Sequence, residues 1–200
     1  MGNYLNPDIS TFARVVNSEI YVDKTGLIEY TNRSAKTLQS YICISRPRRF
    51  GKSIAANMLS AYYTCEYDSR ELFSNLKIAS SDSYEKHLNK YDVIFLNMQE
   101  FLSQSSNVEE MLSLLKKSVI WHLLDKYPDF RYFDETNLKR TLQDIYNKTK
   151  RPFVVIIDEW DCIFREYKEN KEAQEKYLDF LRDLLKDKAY VHLVYMTGIL

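Results

Sequence analysis

Two short clusters in the sequence combine residue types that bind oxyanions and metal ions. The first is Gly51-Lys52-Ser53, which lies between a short apolar run and a stretch with helical periodicity. A loop that leads from a strand into a helix directs backbone N–H groups and the positive end of the helix dipole at one spot, which suits phosphate. Glycine lets the backbone approach the phosphate, lysine reaches its outer oxygens, and the serine hydroxyl is a Mg²⁺ ligand. The sequence therefore predicts phosphate contacts from Arg48, Arg49, Phe50, Gly51, Lys52, Ser53 and Ile54, with Ser53 also a metal ligand.

This loop matches the phosphate-binding pattern G-x-x-x-x-G-K-[ST] only in part, because Arg46 stands where the pattern has its first glycine. Pro47 favours an extended backbone for the residue before it, so Arg46 is expected to avoid positive φ. Short motifs also match by chance. The competing interpretation is therefore a strand-to-helix turn that merely contains these residues and has a basic surface.

The second cluster is acidic and follows the most apolar run of the chain, FVVII at residues 153–157. Asp158, Glu159 and Asp161 lie at the end of this predicted strand, where open α/β sheets bind ligands. We expect Asp158 to hold Mg²⁺ through water and Glu159 to be the general base for an attacking water. Carboxylates this close repel one another unless a cation or a raised pKa relieves them. The alternative for Asp161, and for Glu159, is a helix N-terminus, where the dipole favours acids.

Thr197 ends the last predicted strand, YVHLVYMT at residues 190–197. A hydroxyl at this position suits a sensor of the terminal phosphate and the attacking water, so Thr197 joins Glu159 as a candidate catalytic residue. A threonine that only ends a strand before Gly198 is the other interpretation.

A parallel sheet is needed to bring these side chains together. Apolar, β-branched runs predict strands, and apolar residues at helical spacing predict the helices between them. Alternation of strand and helix is typical of a parallel α/β sheet covered on both faces. We expect strands at 41–45, 92–98, 153–157 and 190–197, and helices that begin near residue 54 and at the cap Asn107, and that span about 135–149 and 171–188.

The order of these elements favours one class of α/β fold. The strand at 92–98 lies between the two clusters in the chain, so the strands that carry Lys52 and Asp158 are not expected to be neighbours. An additional strand, with a glutamate after the metal-binding aspartate, is typical of the additional-strand, catalytic-glutamate class of P-loop NTPases. We therefore predict a P-loop NTPase with a mostly parallel sheet flanked by helices.

The composition indicates one globular domain, with 200 residues, 45% of them hydrophobic and 28% charged. Lys plus Arg and Asp plus Glu both total 28, so no overall field draws the chain to nucleic acid or to a membrane. The cysteines are few and far apart, which argues against disulfides and zinc, and Cys43 and Cys162 are expected in or near the core. The N-terminus has no leader pattern and no apolar run approaches about 18 residues, so we expect a cytoplasmic protein without a membrane partner.

Several segments resemble the AAA-ATPase-like family of bacterial P-loop proteins. They are YVDKTGLIEY at 21–30, SRPRRFGKS at 45–53, LFSNLKIA at 72–79, FVVIIDEWD at 153–161 and VYMTGIL at 194–200. The absent first glycine is a habit of this family. The resemblance implies an ATP-binding domain that uses ATP and Mg²⁺, and longer members carry a C-terminal domain that resembles PD-(D/E)XK nucleases. It implies that residues 1–200 are the nucleotide-binding domain alone, truncated before the lid and before any nuclease-like domain that would contact nucleic acid.

These observations lead to two functional hypotheses. The first is ATP binding and Mg²⁺-dependent hydrolysis as a switch or motor for an attached or partner domain, for example in DNA processing. Without a lid, binding without turnover is one expected outcome. The second is a non-catalytic module in which Arg46, Arg48 and Arg49 contact nucleic-acid phosphates or a protein partner. Zero net charge and a single short basic cluster favour the first hypothesis. The sequence is compatible with an oligomer.

Overall fold

A single parallel sheet forms the centre of the described structure. The computed structural model describes residues 4–199; residues 1–3, at the predicted leaderless N-terminus, and Leu200, which ends the VYMTGIL segment, lie outside the described residues. Within residues 4–199 the sheet has four strands in the order β1-β4-β3-β2, and every neighbouring pair is parallel. The strands are β1 Tyr41–Ser45, β2 Asp92–Asn97, β3 Phe153–Asp158 and β4 Val191–Gly198. Each predicted strand is confirmed to within one residue at either end.

The strand order separates the two sequence clusters by one strand. β1 leads into the Gly51 loop and β3 ends in the acidic cluster, and β4 lies between them. The prediction that the two key strands are not neighbours is therefore confirmed. The strand that comes between them in space is β4, whereas β2, which comes between them in sequence, lies at the edge beyond β3.

All four strands end at the same edge of the sheet. Ser45 pairs with Gly198 across β1 and β4, and Asn97 pairs with Asp158 across β2 and β3. Because parallel strands share their direction, the loop after Ser45, the acidic residues after β3 and Thr197 all lie at this carboxyl edge.

Ten α-helices and one 3₁₀ turn connect and cover the described strands. The helices are α1 Ser10–Val16, α2 Gly26–Ser34, α3 Lys52–Tyr63, α4 Arg70–Phe73, α5 Tyr84–His87, α6 Met98–Ser103, α7 Val108–Lys126, α8 Leu138–Thr149, α9 Cys162–Glu166 and α10 Lys171–Leu185, and the 3₁₀ turn is Lys77–Ser80. The predicted cap of α7 is confirmed, since the Asn107 side chain accepts a hydrogen bond from the Glu110 N–H at 2.8 Å.

Two predicted helices are shorter than expected. α8 begins at Leu138 rather than at 135, because Asp134 accepts hydrogen bonds from Thr136 in a turn and the Asn137 side chain then caps the helix. α10 ends at Leu185 rather than at 188, because Lys186 is extended and Asp187 adopts a left-handed φ of 56°. Polar residues at both ends misled the prediction, since they continue a helical pattern as readily as they start a loop.

Alternate residues of β3 face two separate cores. Phe153, Val155 and Ile157 pack with the helices α6 to α10, whereas Val154 and Ile156 pack with α1 to α3. Every residue of β3 is buried. A sheet with helices on both sides requires a central strand that is apolar on both faces. The acidic cluster begins where this buried strand ends.

Candidate functional site

The loop between β1 and α3 turns through left-handed residues. Gly51 has a φ of 76° and Arg49 a φ of 69°, whereas Arg46 does not adopt a positive φ, as predicted. A positive φ suits a glycine such as Gly51 and is strained for an arginine such as Arg49. The Arg46 N–H donates to the Gly198 carbonyl at 3.2 Å, which continues the pairing of β1 with β4 into the loop. The turn is therefore made at residues 49–51, and a glycine at position 46 is not needed.

Lys52 is the first residue of α3 and its side chain folds back over the loop. Its Nζ donates to the carbonyls of Arg46 at 2.9 Å and Pro47 at 3.0 Å. Carbonyl acceptors hold the ammonium group in place without neutralising its charge. Lys52 thus positions a full positive charge at the centre of the loop.

The loop carries further cations without anionic partners. Arg46, Arg48 and Arg49 are all exposed. Across residues 4–199, no carboxylate forms an ion pair with any of them or with Lys52. Uncompensated positive charge beside a helix N-terminus makes this loop an attractive site for an anion.

The acidic strand end meets the start of α3. The Ser53 hydroxyl donates to Asp158 Oδ2 at 2.6 Å, and the Thr197 hydroxyl donates to Asp158 Oδ1. Asp158 is only 3% exposed and Thr197 is fully buried, while Ser53 is exposed at the loop. The structure therefore brings together residues from β3, β4 and α3 that the sequence separates by up to 144 positions.

Glu159 has a partner that the sequence analysis missed. Its carboxylate accepts from Arg165 Nη2 at 2.6 Å, and Arg165 also contacts Asp161 at 2.6 Å and Gln99 at 3.3 Å. The Arg165 side chain is 14% exposed. Burial lowers the pKa of Arg165, but the hydrogen bond to Glu159 and the charge of Asp161 outweigh burial and raise that pKa above its ordinary value. The repulsion expected among the carboxylates is thus relieved in part by a cation of the protein itself.

Asp161 lies at a helix N-terminus, as the alternative interpretation expected, but its side chain has other partners. It precedes α9, yet its side chain makes no capping hydrogen bond to that helix. Instead, Asp161 is fully buried, pairs with Arg165 and accepts from the Ile199 N–H at 2.6 Å. Asp161 therefore anchors the chain directly after β4. Its spacing of four residues from Arg165 is the signal by which the pair could have been found.

The YVDKT segment, for which no role was predicted, packs beside the phosphate loop. Asp23 accepts from the Thr25 N–H and hydroxyl at 2.8 and 2.7 Å, and from the Lys77 N–H at 2.8 Å. The Thr25 hydroxyl in turn accepts from the Ile78 N–H at 3.1 Å. Burial raises the pKa of Asp23, but these hydrogen bonds outweigh burial and the net pKa is lowered. The segment is thus fastened to the LFSNLKIA segment, in which the 3₁₀ turn begins.

Lys24 extends from this fastened segment to the loop. Its Nζ lies 3.4 Å from the Phe50 carbonyl and 3.1 Å from the point where a Cβ on Gly51 would lie. A side chain at position 51 would therefore meet both a left-handed φ and the Lys24 ammonium group. Gly51 is the residue that this arrangement requires.

Ser53 and Asp158 are also suited to a hard divalent cation. Mg²⁺ prefers oxygen ligands and is usually held by one or two carboxylates together with substrate phosphates and water. A hydroxyl and a carboxylate 2.6 Å apart at a helix N-terminus supply such oxygens. In the part of the chain that the structure describes, no cluster of three or more His, Cys, Asp or Glu could hold a metal ion by itself. The donor set therefore fits a metal shared with a phosphate ligand.

The cysteine prediction is half wrong. Cys162 is buried, as expected, but Cys43 is exposed. β1 is an edge strand of the sheet, and its alternate residues Tyr41, Cys43 and Ser45 are exposed.

Comparison with known protein families supports the overall assignment. A family model described as Predicted AAA-ATPase matches residues 8–200. A comparison with curated proteins finds no matching sequence. The parallel sheet with helices on both faces agrees with the predicted P-loop NTPase-like fold. Among the described residues, no helix has the length and apolar character that crossing a membrane requires.

Proposed function

Because the chain belongs to the Predicted AAA-ATPase family, we propose that it binds ATP together with Mg²⁺ at the carboxyl edge of the sheet and hydrolyses it. In this proposal hydrolysis drives a switch or motor for an attached or partner domain, with DNA processing as one setting. We assign the fold to the additional-strand, catalytic-glutamate class. The position of β4 between β1 and β3 and the glutamate after Asp158 support that assignment.

The phosphate chain is bound by the loop and by the first turn of α3. Lys52 exchanges the carbonyls of Arg46 and Pro47 for phosphate oxygens, and in this proposal the backbone N–H groups of residues 48–54 donate to the phosphates. Ser53 and Asp158 hold the metal, which neutralises charge on the phosphate oxygens when it is bound. Arg48 and Arg49 add positive charge at the rim of the loop.

Glu159 accepts a proton from the attacking water, and its carboxylate must be free to do so. In the structure that carboxylate is paired with Arg165 at 2.6 Å, so it is not free to act as a general base. Release of Glu159 from Arg165 is therefore a step of turnover in this proposal. Thr197 donates its hydroxyl hydrogen bond to Asp158, and in this proposal it senses the terminal phosphate and the attacking water.

One observation carries the proposal, namely the 2.6 Å hydrogen bond between Ser53 and Asp158. The strands that lead to these two residues, β1 and β3, lie on opposite sides of β4, and the two residues are far apart in the sequence. The turn interpretation gives no reason for an acidic strand end to meet the cationic loop. A shared metal and phosphate ligand gives one.

Calorimetric titration with ATP and Mg²⁺ tests the proposal. Lys52→Ala should weaken binding about tenfold to a hundredfold, because a charge-assisted contact to phosphate is worth roughly 1.5–3 kcal/mol. Lys171→Ala is the matched control, since Lys171 also begins a helix, α10, but lies outside the loop. Glu159→Gln should keep binding and stop turnover. Equal ATP affinity in Lys52→Ala and in the parent protein would refute the assignment.

A second candidate function follows from the exposed arginines of the loop. Arg46, Arg48 and Arg49 have no anionic partner among the described residues and could contact the phosphates of a nucleic-acid backbone. Binding of this kind weakens steeply with salt and is indifferent to ATP and Mg²⁺. DNA binding that persists at saturating ATP and is lost in an Arg48→Ala, Arg49→Ala double variant would favour it.

A further inference from the structure

The two edges of the central sheet differ in how they are covered. At the β2 edge, residues 4–6 run antiparallel to the strand. The Asn6 N–H donates to the Val93 carbonyl at 2.7 Å. The Phe95 N–H donates to the Tyr4 carbonyl at 2.9 Å. Within residues 4–199, no backbone segment pairs with the outer side of β1, which is the strand at the other edge. The fold therefore covers one edge with its own backbone and leaves the other edge open.

The open edge of β1 presents a row of unpaired backbone groups. The carbonyl of Ser40 and the N–H of Arg46 both form hydrogen bonds with β4, so the even-numbered residues of this segment face β4. Successive residues of a strand direct their N–H and C=O groups to opposite sides. The groups that face away from the sheet, without a backbone partner among the described residues, therefore belong to Tyr41, Cys43 and Ser45.

β1 lacks the features by which proteins protect an open edge. Natural edge strands carry charged side chains or proline, are interrupted by bulges, or are covered by another element. The sequence of β1, YICIS, contains neither a charge nor a proline. Its pairing with β4 keeps one register throughout, whereas the pairing of β3 with β4 contains a register shift. An edge of this kind is suited to pair with a further strand.

An apolar groove continues from this edge over the face of the sheet on which α10 packs. It has a volume of about 890 Å³ and lies between α10, the start of β1 and β4, with Val191 and Met196 lining it from β4. Leu38 is fully exposed at the groove, and Tyr41 and Leu178 are 43% and 42% exposed. Several exposed apolar side chains around one concave surface mark an interaction site.

We propose that two copies of this chain associate through β1, with the two strands antiparallel about a twofold axis at Cys43. In this arrangement Cys43 lies opposite its counterpart in the second copy, and Tyr41 of each copy lies opposite Ser45 of the other. All of the outward N–H and C=O groups then gain partners. The two four-stranded sheets become one sheet that runs through both copies, and nucleotide binding is not required.

A second copy fits the open edge because the contact is self-complementary and closes at two chains. A twofold contact uses the same surface on both copies, whereas head-to-tail pairing of β1 on β2 would build an open-ended fibre. Residues 4–6 already occupy the outer side of β2, so the head-to-tail contact is blocked.

The charges also suit a second copy. The chain has a formal net charge of zero, so two copies do not repel one another over a distance. The groove is bordered by Lys186, Asp187 and Lys188, which carry both signs of charge. An uncharged strand beside such a border favours a copy of itself over a strongly charged partner such as nucleic acid.

The groove must contribute to the contact as well as the strand. A specific interface buries at least about 1,000 Å², which is more than a short pair of strands supplies. We therefore expect the exposed side chains of Leu38 and Tyr41 to be covered in the dimer. Replacement of Leu38 should weaken association although its side chain makes no backbone hydrogen bond.

Sedimentation equilibrium of the 200-residue chain in reducing buffer tests the proposal. The mass of the parent should approach twice 23.8 kDa as concentration rises. Cys43→Lys should weaken association at least about tenfold, because like charges meet at the twofold axis, and Cys43→Ser is the matched control that should leave it unchanged. Leu38→Ser should weaken association about tenfold, also if Cys43→Lys fails to fold. Trp121→Ser, which changes a 64% exposed side chain on α7, should have no effect.

A short bismaleimide tests the register of the two strands. It should join two copies of the parent and of Cys65→Ser, because Cys43 is exposed at the twofold axis. It should leave Cys43→Ser as single chains. A dimer in which Cys43 cannot be joined would contradict the proposed register and with it the proposal.

The sedimentation results separate the possible occupants of the edge. A mass of 23.8 kDa at every concentration would overturn the proposal and would leave the edge to a strand of another polypeptide segment. A dimer that persists in both Cys43→Lys and Leu38→Ser, or a mass that keeps rising beyond two copies, would also overturn it. A dimer that is lost in these two variants and kept in Cys43→Ser and Trp121→Ser is the supporting result.

Discussion

Replacement of Arg165 by methionine should strongly destabilise the fold. Arg165 is the shared partner of Glu159 and Asp161, and each ion pair is 2.6 Å long. Methionine keeps much of the apolar stem and removes the guanidinium group, so the change isolates the charge. Asp161 is fully buried and would lose its ion pair while remaining out of water.

The expected magnitude follows from the burial of the three groups. The side chains are 14% exposed for Arg165, 0% for Asp161 and 24% for Glu159, so solvent screens these pairs little. Removal of one partner of a buried pair costs about 3–5 kcal/mol, because the remaining charge stays out of water without that partner. The free energy of unfolding of Arg165→Met should fall by that amount, which is a large fraction of the stability of an ordinary domain.

Urea unfolding of four proteins measures the effect. They are the parent, Arg165→Met, the double variant Arg165→Met with Asp161→Asn, and Arg182→Met. The double variant should recover part of the loss, because asparagine at position 161 places no charge in the core. Arg182 forms a pair of the same 2.6 Å length with Asp179, but those side chains are 64% and 62% exposed. Its replacement should therefore cost at most about 1 kcal/mol.

The comparison of the two arginines decides the matter. If Arg165→Met and Arg182→Met lower the free energy of unfolding equally, within about 0.5 kcal/mol, the Arg165 pairs are as solvated as a surface pair. Arg165 would then not be a fixed structural partner of Glu159, and turnover would not require a release step.

Further predictions concern single side chains. Thr197→Val should lower the free energy of unfolding by about 1–3 kcal/mol in urea, because it removes a buried donor to Asp158, and Thr197→Ser should restore most of the loss. Burial lowers the pKa of His192 to about 3, below its unfolded value of 6.5, so the unfolded chain binds the proton first as pH falls. Stability should therefore decline from about pH 6.5 downward, and the His192 contribution should reach about 2 kcal/mol at about pH 5. His192→Gln should reduce that decline, and an unchanged pH profile would contradict it. Lys24→Ala should weaken both ATP and inorganic triphosphate severalfold in calorimetry, while Lys148→Ala, on the exposed surface of α8, should weaken neither.

The strands could be predicted from the sequence because their signal is local. FVVII at 153–157 is apolar on both faces, and only a strand covered on both sides can bury it. Because this run is a strand, Asp158 must lie at its end. The position of the acidic cluster could therefore be predicted together with the strand. The partial glycine pattern could also be interpreted locally, since Pro47 constrains Arg46 and the structure makes the turn at Arg49 and Gly51.

The partners of these residues could not be predicted because they depend on tertiary contacts. Lys24 meets the loop only because Asp23 is fastened to the 3₁₀ turn. The contact of Arg165 with Glu159 spans only six residues, so a local spacing rule could have indicated it. The order of the strands in the sheet also depends on tertiary contacts. Because β1 lies at the edge, Cys43 is exposed, although the apolar residues around it predicted that it would be buried.

Each functional group of the candidate site is held by another group of the protein. Lys52 is held by loop carbonyls, Ser53 by Asp158, and Glu159 by Arg165. These contacts keep the side chains in place, but a ligand must exchange some of them for its own. At the loop the exchange is favourable, because phosphate replaces neutral carbonyls as the partner of an unpaired cation. At Glu159 it is unfavourable, because the carboxylate must leave a buried guanidinium group. Under the proposed function, ATP binding and ATP turnover therefore have separate requirements. A change that weakens the contact between Arg165 and Glu159 controls turnover without controlling ATP binding.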